Sequence, residues 1–308
     1  MKRVLIAGIS GFIGRSLREY IESNIPSFEV YGIDVSVKKS SKRIFRCNLN
    51  NQKALKSIIQ KISPHYVFHL AGSTTRGDVS SSFLTNILST YNLLDVLHEL
   101  KSIKPRVIIP GSAAEYGRVS QRDMPVKESY PLKPINFYGH MKTYQIILAL
   151  SFCEKGLDVV VGRIFNAVGR GSPQRLVMGN LVNQIALIEK GKKKTITGVK
   201  SLTSKRDYID VADVSSALVS LAKKGKKGEI YNICSGKSYN VKELLANLIK
   251  LSSCKKFAIK FSPKSFSEVK DIRGSNRKIK KDTGWSPKVD IVDSLKNALD
   301  YCRDNDDR

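Results

Sequence analysis

Tyr138 and Lys142, four positions apart, carry the most specific chemistry in the sequence. On a helix that spacing puts both side chains on one face. A free phenol keeps its proton up to a pH of roughly 10, too high for fast exchange near neutrality. A neighbouring ammonium favours the phenolate, and lowering the pKa by about three units needs roughly 4 kcal/mol of differential interaction. Lys142 together with a cationic cofactor ring is expected to provide it. Ser112 adds a hydroxyl at the end of the apolar run Arg106 to Pro110, which reads as a strand continued by Gly111 and Ser112. Ligands of open parallel sheets bind beyond the carboxyl ends of strands, so Ser112 is expected where a reacting carbonyl would lie. The three side chains suit hydride chemistry at a carbonyl or alcohol, with a proton moved by the phenol.

Gly8, Gly11 and Gly14 follow the first apolar strand and open a helix. Glycines there permit a tight turn and let a diphosphate approach the amides of Phe12 and Ile13 at the helix N-terminus, where the dipole favours an anion. Asp34 lies 20 residues beyond Gly14, at the end of a second strand. An acid at that position accepts the adenosine ribose hydroxyls and repels a 2′-phosphate, which favours NAD over NADP. Lys38, Lys39 and Arg43 are cations that keep NADP open.

The elements that must position these groups alternate. Strands are expected at 2–8, 29–34, 66–71, 106–110 and 158–165, and helices from Gly14 to about Asn24, at 51–62, at 83–100 and from Asn136 to about Lys155. Strands alternating with helices of ten or more residues specify βαβ units, hence an α/β fold with a doubly wound parallel sheet. Past Val168 the rhythm breaks into a stretch rich in Gly, Ser, Gln and Lys with one helix near 178–190. The reading is a dinucleotide-binding part, 1–168 plus about 205–235, and a smaller interwoven substrate lobe, about 169–204 and 236–308.

Charge and composition narrow the classes. Fifty-three Lys and Arg against 27 Asp and Glu give +26, a field that attracts polyanions. The lysines gather in short runs at turns, Lys192 to Lys194 and Lys223 to Lys227, with no interleaved aromatics of an RNA-binding module. Solvated surface charge and attraction for an anionic substrate are therefore preferred to nucleic-acid binding. The five cysteines are scattered without a C-x-x-C pair, which argues against a zinc site or a disulfide framework. No apolar run reaches the roughly 18 residues of a membrane span, and the N-terminus lacks a signal-peptide pattern. The expected location is the cytoplasm, with no metal and no membrane partner.

Gly8-x-x-Gly11-x-x-Gly14, the strand end His69-Leu-Ala-Gly72, Asn86, Gly111-Ser112, Tyr138-x-x-x-Lys142 and Arg163-Ile-Phe-Asn166 resemble the extended short-chain dehydrogenase/reductases, the group of nucleotide-sugar epimerases, dehydratases and reductases. The resemblance implies NAD or NADP as cofactor and a nucleotide-diphosphate sugar as substrate. It gives Ser112 and Tyr138 the substrate oxygen and Lys142 the nicotinamide ribose, and extends the cofactor site to Asn48, Leu49, Leu70, Ala71, Gly72 and Ile164. It places Ser73, Ala113, Glu115, Asn166 and Arg206 on the substrate side, Asn166 and Arg206 toward the diphosphate. Glu115 is read either as a sugar contact or as a surface-loop glutamate, and His140 as lying off the catalytic helix face.

Sugar 4,6-dehydratases of this family carry an Asp-Glu pair where this chain has Ala113 and Ala114, so elimination lacks its acid and base. The segments 111–117, 131–134, 163–166, 206–213 and 231–236 look most like the GDP-4-keto-6-deoxy-D-mannose reductases, whereas Ser265 to Arg273 departs from their pattern. The expectation is reduction of a C4 ketone with NAD(P)H. A C4 epimerase is the alternative, and a polyanion-binding protein on a dehydrogenase scaffold the next. The resemblance also implies a homodimer through helices 83–100 and 137–154.

Overall fold

Burial alternates along the first strand: Val4 and Ile6 face one apolar core, Leu5 and Ala7 the other. A strand apolar on both faces belongs in the middle of a sheet covered on both sides. The computed structural model, which describes residues 1–73, 79–199, 202–255, 257–261 and 269–305, has that architecture. In chain order its first half runs β1 (Lys2–Ala7), α1 (Phe12–Asn24), β2 (Phe28–Asp34), β3 (Ile44–Arg46), α2 (Gln52–Ile62), β4 (Tyr66–His69), α3 (Val79–Phe83), α4 (Ser89–Glu99), β5 (Arg106–Ser112), α5 (Phe137–Glu154) and β6 (Asp158–Ile164). The second half runs β7 (Asn166–Val168), α6 (Val177–Glu189), β8 (Thr195–Val199), β9 (Lys205–Asp210), α7 (Val211–Lys224), β10 (Ile230–Ile233), β11 (Ser238–Asn240), α8 (Val241–Leu251), β12 (Ala258–Phe261), α9 (Arg277–Thr283) and α10 (Ile291–Asp304).

The large sheet has the order β10-β6-β5-β4-β1-β2-β3, and its pairings are parallel. The order reverses between β1 and β4, which opens a crevice at their carboxyl ends. Leu17 and Ile21 of α1, with Val214, Leu218 and Leu221 of α7, cover one face. Leu55 and Ile59 of α2, Leu93 and Leu97 of α4, and Ile146 and Phe152 of α5 cover the other. Each such side chain contributes about 1.5–3 kcal/mol on full burial, so these two layers hold the crevice rigid. This is the doubly wound fold that the βα rhythm specifies.

A separate apolar cluster joins α6, α8 and α10 through Leu181, Ile185, Leu244, Leu248, Leu295 and Leu299. It lies with two small sheets, β11-β9-β7 and β12-β8. Here the sequence reading needs adjustment. Residues 205–210, assigned to the dinucleotide-binding part, form β9, which pairs with β7 and β11 rather than joining the large sheet. The helix expected at 83–100 is also not uniform: Leu84–Leu88 is a π-helical turn between α3 and α4. Such turns bulge the helix and often sit at functional sites. The departing stretch Ser265 to Arg273 is only partly visible, with Ser265 to Glu268 outside the described residues.

Among the lysine runs, Lys223 lies 5.2 Å from the Phe28 ring centroid and Lys226 pairs with Asp282 at 3.2 Å. All five cysteines are free. Among the described residues no group of three or more His, Cys, Asp or Glu is gathered to hold a metal, and no helix is long and apolar enough to cross a membrane.

Candidate active site

Glycines set the distances at which the elements carrying the candidate residues meet. A Cβ on Gly139, in the first turn of α5, would lie 2.6 Å from the Ala114 carbonyl oxygen. Its absence lets α5 pack against the turn that follows β5, which brings Tyr138 toward Ser112. Asn136 caps α5 by accepting from the Gly139 amide at 2.8 Å. Ser112, the last residue of β5, caps the short 3₁₀ turn Ala113–Glu115, its Oγ accepting from the Ala114 amide at 3.2 Å. His140 is exposed, away from this face.

Burial pushes the Tyr138 phenol up to about 12. A hydrogen bond with Ser112 and the positive charge of Arg175 oppose that rise, and the charge of Glu115 adds to it. Lys142 is 6% exposed and donates to Gln145 Oε1 at 2.5 Å. Burial pushes its ammonium down to about 8, with Glu115 pulling the other way. Gln145 donates to Thr90 Oγ1 at 2.8 Å, and Thr90 donates to the Asn86 carbonyl at 2.7 Å. His69 Nε2 lies 2.7 Å from the same Oγ1, which leaves the ring the role of donor and fixes the Nε2–H tautomer. Burial, with the Lys142 charge behind it, pushes that imidazole down to about 3, so it stays neutral.

Glu115 occupies neither place expected of it. It is fully buried, accepts from the Ser112 amide at 2.5 Å, and pairs with the equally buried Arg163 at 2.7 Å. Both carboxylate oxygens point into the protein, so Glu115 is neither a sugar contact nor a surface-loop residue. The signal was in the sequence: Ser112-x-x-Glu115 is a capping-box spacing, and the box is formed.

The crevice side carries a cradle that fits a dinucleotide. Gly8 has φ +87°, and a Cβ there would lie 2.5 Å from the Ala71 amide nitrogen. A Cβ on Gly14 would run into the Gly8 carbonyl oxygen. Gly11 caps α1 without a side-chain acceptor, leaving the helix N-terminus to an anion. Asp34 braces this loop, accepting from the Ser10 amide at 3.0 Å, the Ser36 amide at 2.9 Å and Ser36 Oγ at 2.8 Å. A carboxylate has about four acceptor sites, so capacity for a ribose hydroxyl is left. Arg43 is turned to Glu29 at 3.0 Å, whereas Lys38 and Lys39 are exposed.

Asn86, on the π turn, accepts from the Ser73 amide at 3.1 Å and so holds the Leu70-Ala71-Gly72-Ser73 loop. Leu49 is buried, and its carbonyl accepts from Asn92 at 3.2 Å, while Asn48 Oδ1 accepts from the Asn50 amide at 3.0 Å. Ile164 pairs with Ser112 across β6 and β5, and Ala113 is buried beside them. Asn166 and Arg206 lie on adjacent strands, β7 and β9. Asn166 donates to the Asp207 carbonyl at 3.0 Å, and burial lowers the Arg206 pKa while Tyr208 and Asp271 oppose the loss. Sequence reasoning passed over Ser10, Ser36, Thr90, Gln145 and Arg175; Ser10 and Thr90 act on partners more than 20 residues away, whereas Ser36 and Gln145 lie within three residues of Asp34 and Lys142.

Crevice, glycine cradle and Ser-Tyr-Lys group together define a nicotinamide-dependent enzyme on a doubly wound sheet. Residues 4–234 match the NAD dependent epimerase/dehydratase family, and the chain belongs to it. The GDP-6-deoxy-D-mannose reductase of Pseudomonas aeruginosa is 27% identical over 304 residues, 97% of this chain and 96% of its own length. The GDP-6-deoxy-D-talose 4-dehydrogenase of Aggregatibacter actinomycetemcomitans is 30% identical over 253 residues, 81% and 80% of the two chains. Among solved structures, RMD from Pseudomonas aeruginosa complexed with NADPH superposes with a TM-score of 0.88 at 27% identity, over 99% of this chain and 98% of that one. The expected cofactor, NAD or NADP, stands with these relatives.

Proposed function

We propose that the protein reduces the C4 ketone of a nucleotide-activated 4-keto-6-deoxyhexose with NAD(P)H, a GDP sugar being the first candidate. The observation that carries this reading is the inward turn of Glu115. Ala113 and Ala114 follow Ser112, and the next carboxylate is locked to Arg163, so the turn after β5 offers no acid or base for expelling water. Ketone reduction needs none. The relation to a GDP-6-deoxy-D-mannose reductase supports the choice of sugar class.

The ketone oxygen sits against Ser112 and Tyr138. The nicotinamide, when bound, supplies the hydride to C4. Tyr138, held as a phenol by its surroundings, gives the oxygen its proton, and the hydride and proton together make the alcohol. Ser112 donates a hydrogen bond that strengthens as the oxygen gains charge. Lys142 holds the nicotinamide ribose, and Asn166 and Arg206 receive the diphosphate. Gly8, Gly11 and Gly14 with the Phe12 and Ile13 amides hold the cofactor diphosphate, and Asp34 its adenosine ribose, in favour of NAD. A second copy of the chain docks on α4 and α5.

The test is cofactor stoichiometry with GDP-, dTDP-, UDP- and CDP-linked 4-keto-6-deoxyhexoses. One NAD(P)H oxidised per sugar supports the proposal; interconversion of C4 epimers without net oxidation replaces it with epimerisation. Tyr138→Phe should lower kcat/KM by about 10²–10⁴-fold, the usual worth of a positioned proton donor.

A further inference from the structure

We propose that Glu115, with Arg163 as its counter-ion, is the positioning residue of this site, fixing the Ser112 backbone and standing as a negative charge behind Tyr138 and Lys142. The catalytic consequence rests on the reductase reading above; the geometry does not.

The ion pair is 0% and 1% exposed at its two side chains. Buried pairs of this kind are weak stabilisers, and neutral replacements of similar volume are often tolerated or better. Stability alone is therefore a poor reason for one beside the reacting atoms. The local geometry supplies another. Arg163 lies opposite Gly111 in the β5–β6 register, one residue before Ser112 meets Ile164. A Cβ on Gly111 would lie 2.8 Å from Glu115 Oε1, so glycine leaves the room into which the carboxylate folds back. One carboxylate oxygen then accepts from the Ser112 amide, and the other from Arg163 Nε.

Arg163 is fixed in turn. Its Nη1 donates to the Tyr116 hydroxyl at 2.8 Å, with the guanidinium carbon 4.6 Å from the Tyr116 ring centroid. The Tyr116 hydroxyl donates to Asn232 Oδ1 at 2.7 Å, and the Asn232 amide donates to Glu128 Oε1 at 2.9 Å. Ser112 is thus anchored through a continuous buried chain to β10, at the far edge of the sheet.

The charge has a direction as well as a place. Glu115 raises the proton affinity of both Tyr138 and Lys142. Tyr138 is otherwise faced by Ser112 and by the cation Arg175. Lys142 is faced by Gln145 and by His69, which is neutral. Reduction requires a phenol that still has its proton and a lysine that is still charged, and Glu115 favours both states.

The test compares wild type, Glu115→Gln and the electrically neutral double variant Glu115→Gln/Arg163→Met. Tyr138 is titrated by near-ultraviolet phenolate absorbance, as the difference between each protein and its own Tyr138→Phe counterpart, without substrate. The Tyr138 midpoint should fall by about one pH unit in Glu115→Gln and by less in the double variant. The alkaline limb of kcat/KM, which belongs to Lys142, should also move down because Glu115 raises the lysine as well, and kcat at neutral pH should fall about tenfold while the KM for NAD(P)H changes less than about twofold. A lower melting temperature with the Tyr138 midpoint and the limb unmoved overturns the proposal. If Glu115→Gln fails to fold, the double variant carries the same comparison. A shifted midpoint in a protein that reduces no 4-keto sugar nucleotide removes the substrate reading and leaves Glu115 its role. Wild-type turnover with an unmoved midpoint does the reverse.

Discussion

Lys142 donates to Gln145 Oε1, three residues further along the same helix, at 2.5 Å, and both side chains are buried. Gln145 is held by Thr90, so Lys142 is placed by a residue of α4 through one of α5. In the proposed reaction the two groups have separate tasks: Tyr138 handles the proton, and Lys142 supplies a fixed charge whose presence depends on pH.

The pH dependence follows from the depressed lysine. Burial takes its pKa from the ordinary 10.5 to about 8, so the charge is present below that value and lost above it. The proposed reduction needs the charged form. We expect kcat/KM to be level through neutrality and to fall about tenfold per pH unit above about 8, the limb reporting the free enzyme. Lys142→Met should be slower by about 10²-fold and lack this limb. A limb that persists unchanged in the variant assigns the titration elsewhere.

Asp34 should set the choice of cofactor. Removing its charge in Asp34→Asn ought to shift the ratio of kcat/KM for NADH over NADPH toward NADPH by about tenfold, the scale of relieving a like-charge contact with a 2′-phosphate. Steady-state rates with the two cofactors decide it. An unchanged ratio means that the carboxylate only braces Ser10 and Ser36.

Much of this was legible because the relevant signals are local. The glycine spacing, the βα rhythm and the four-residue separation of Tyr138 and Lys142 each lie within one or two elements, and each reappears in the structure. Ser112 ends β5, and Tyr138 in the first turn of α5 is hydrogen-bonded to it. What escaped depends on distant partners. Glu115 looks like a loop acid until Arg163, 48 residues away, is placed beside it. Lys142 looks free to reach Tyr138 until Gln145 and Thr90 claim it. Residues 205–210 read with the dinucleotide-binding part because the helix they lead into is a local signal, whereas their pairing with Asn166 to Val168 is not.

Asp207 should prove a strong structural point. Fully buried, it accepts from the Ser235 amide and hydroxyl at 2.8 and 2.7 Å, and from the Gly236 and Gly274 amides at 3.0 and 3.1 Å. Asp207→Asn turns one acceptor into a donor facing amides, and stranding two of them should cost about 2–4 kcal/mol. Denaturant unfolding measures this. Burial also raises the wild-type carboxyl from 3.8 to about 6, so the folded state binds the extra proton between those values. The contribution of Asp207 to stability therefore declines as pH rises through that window, a slope the Asn variant should lack.

The proposed dimer is testable at α5. Tyr144 and Ile147 are 53% and 59% exposed, and Phe83, Leu84 and Tyr91 continue the apolar surface on the neighbouring helical segment. Sedimentation should give a dimer for the wild type and a monomer with unchanged far-ultraviolet circular dichroism for Ile147→Glu. A monomeric wild type would remove the proposed partner.

The order of the large sheet also bears on how the chain is made. β6, with its run of three valines, Val159 to Val161, is flanked on one side by β5 and on the other only by β10. During synthesis some 65 residues separate the end of β6 from the start of β10, from Ile164 to Ile230. Until those residues leave the ribosome, β6 is an unpaired apolar border, the kind of edge that recruits strands from other molecules. The nascent protein passes through a window of vulnerability, which closes only when the segment that anchors Arg163 through Tyr116 and Asn232 docks beside β6.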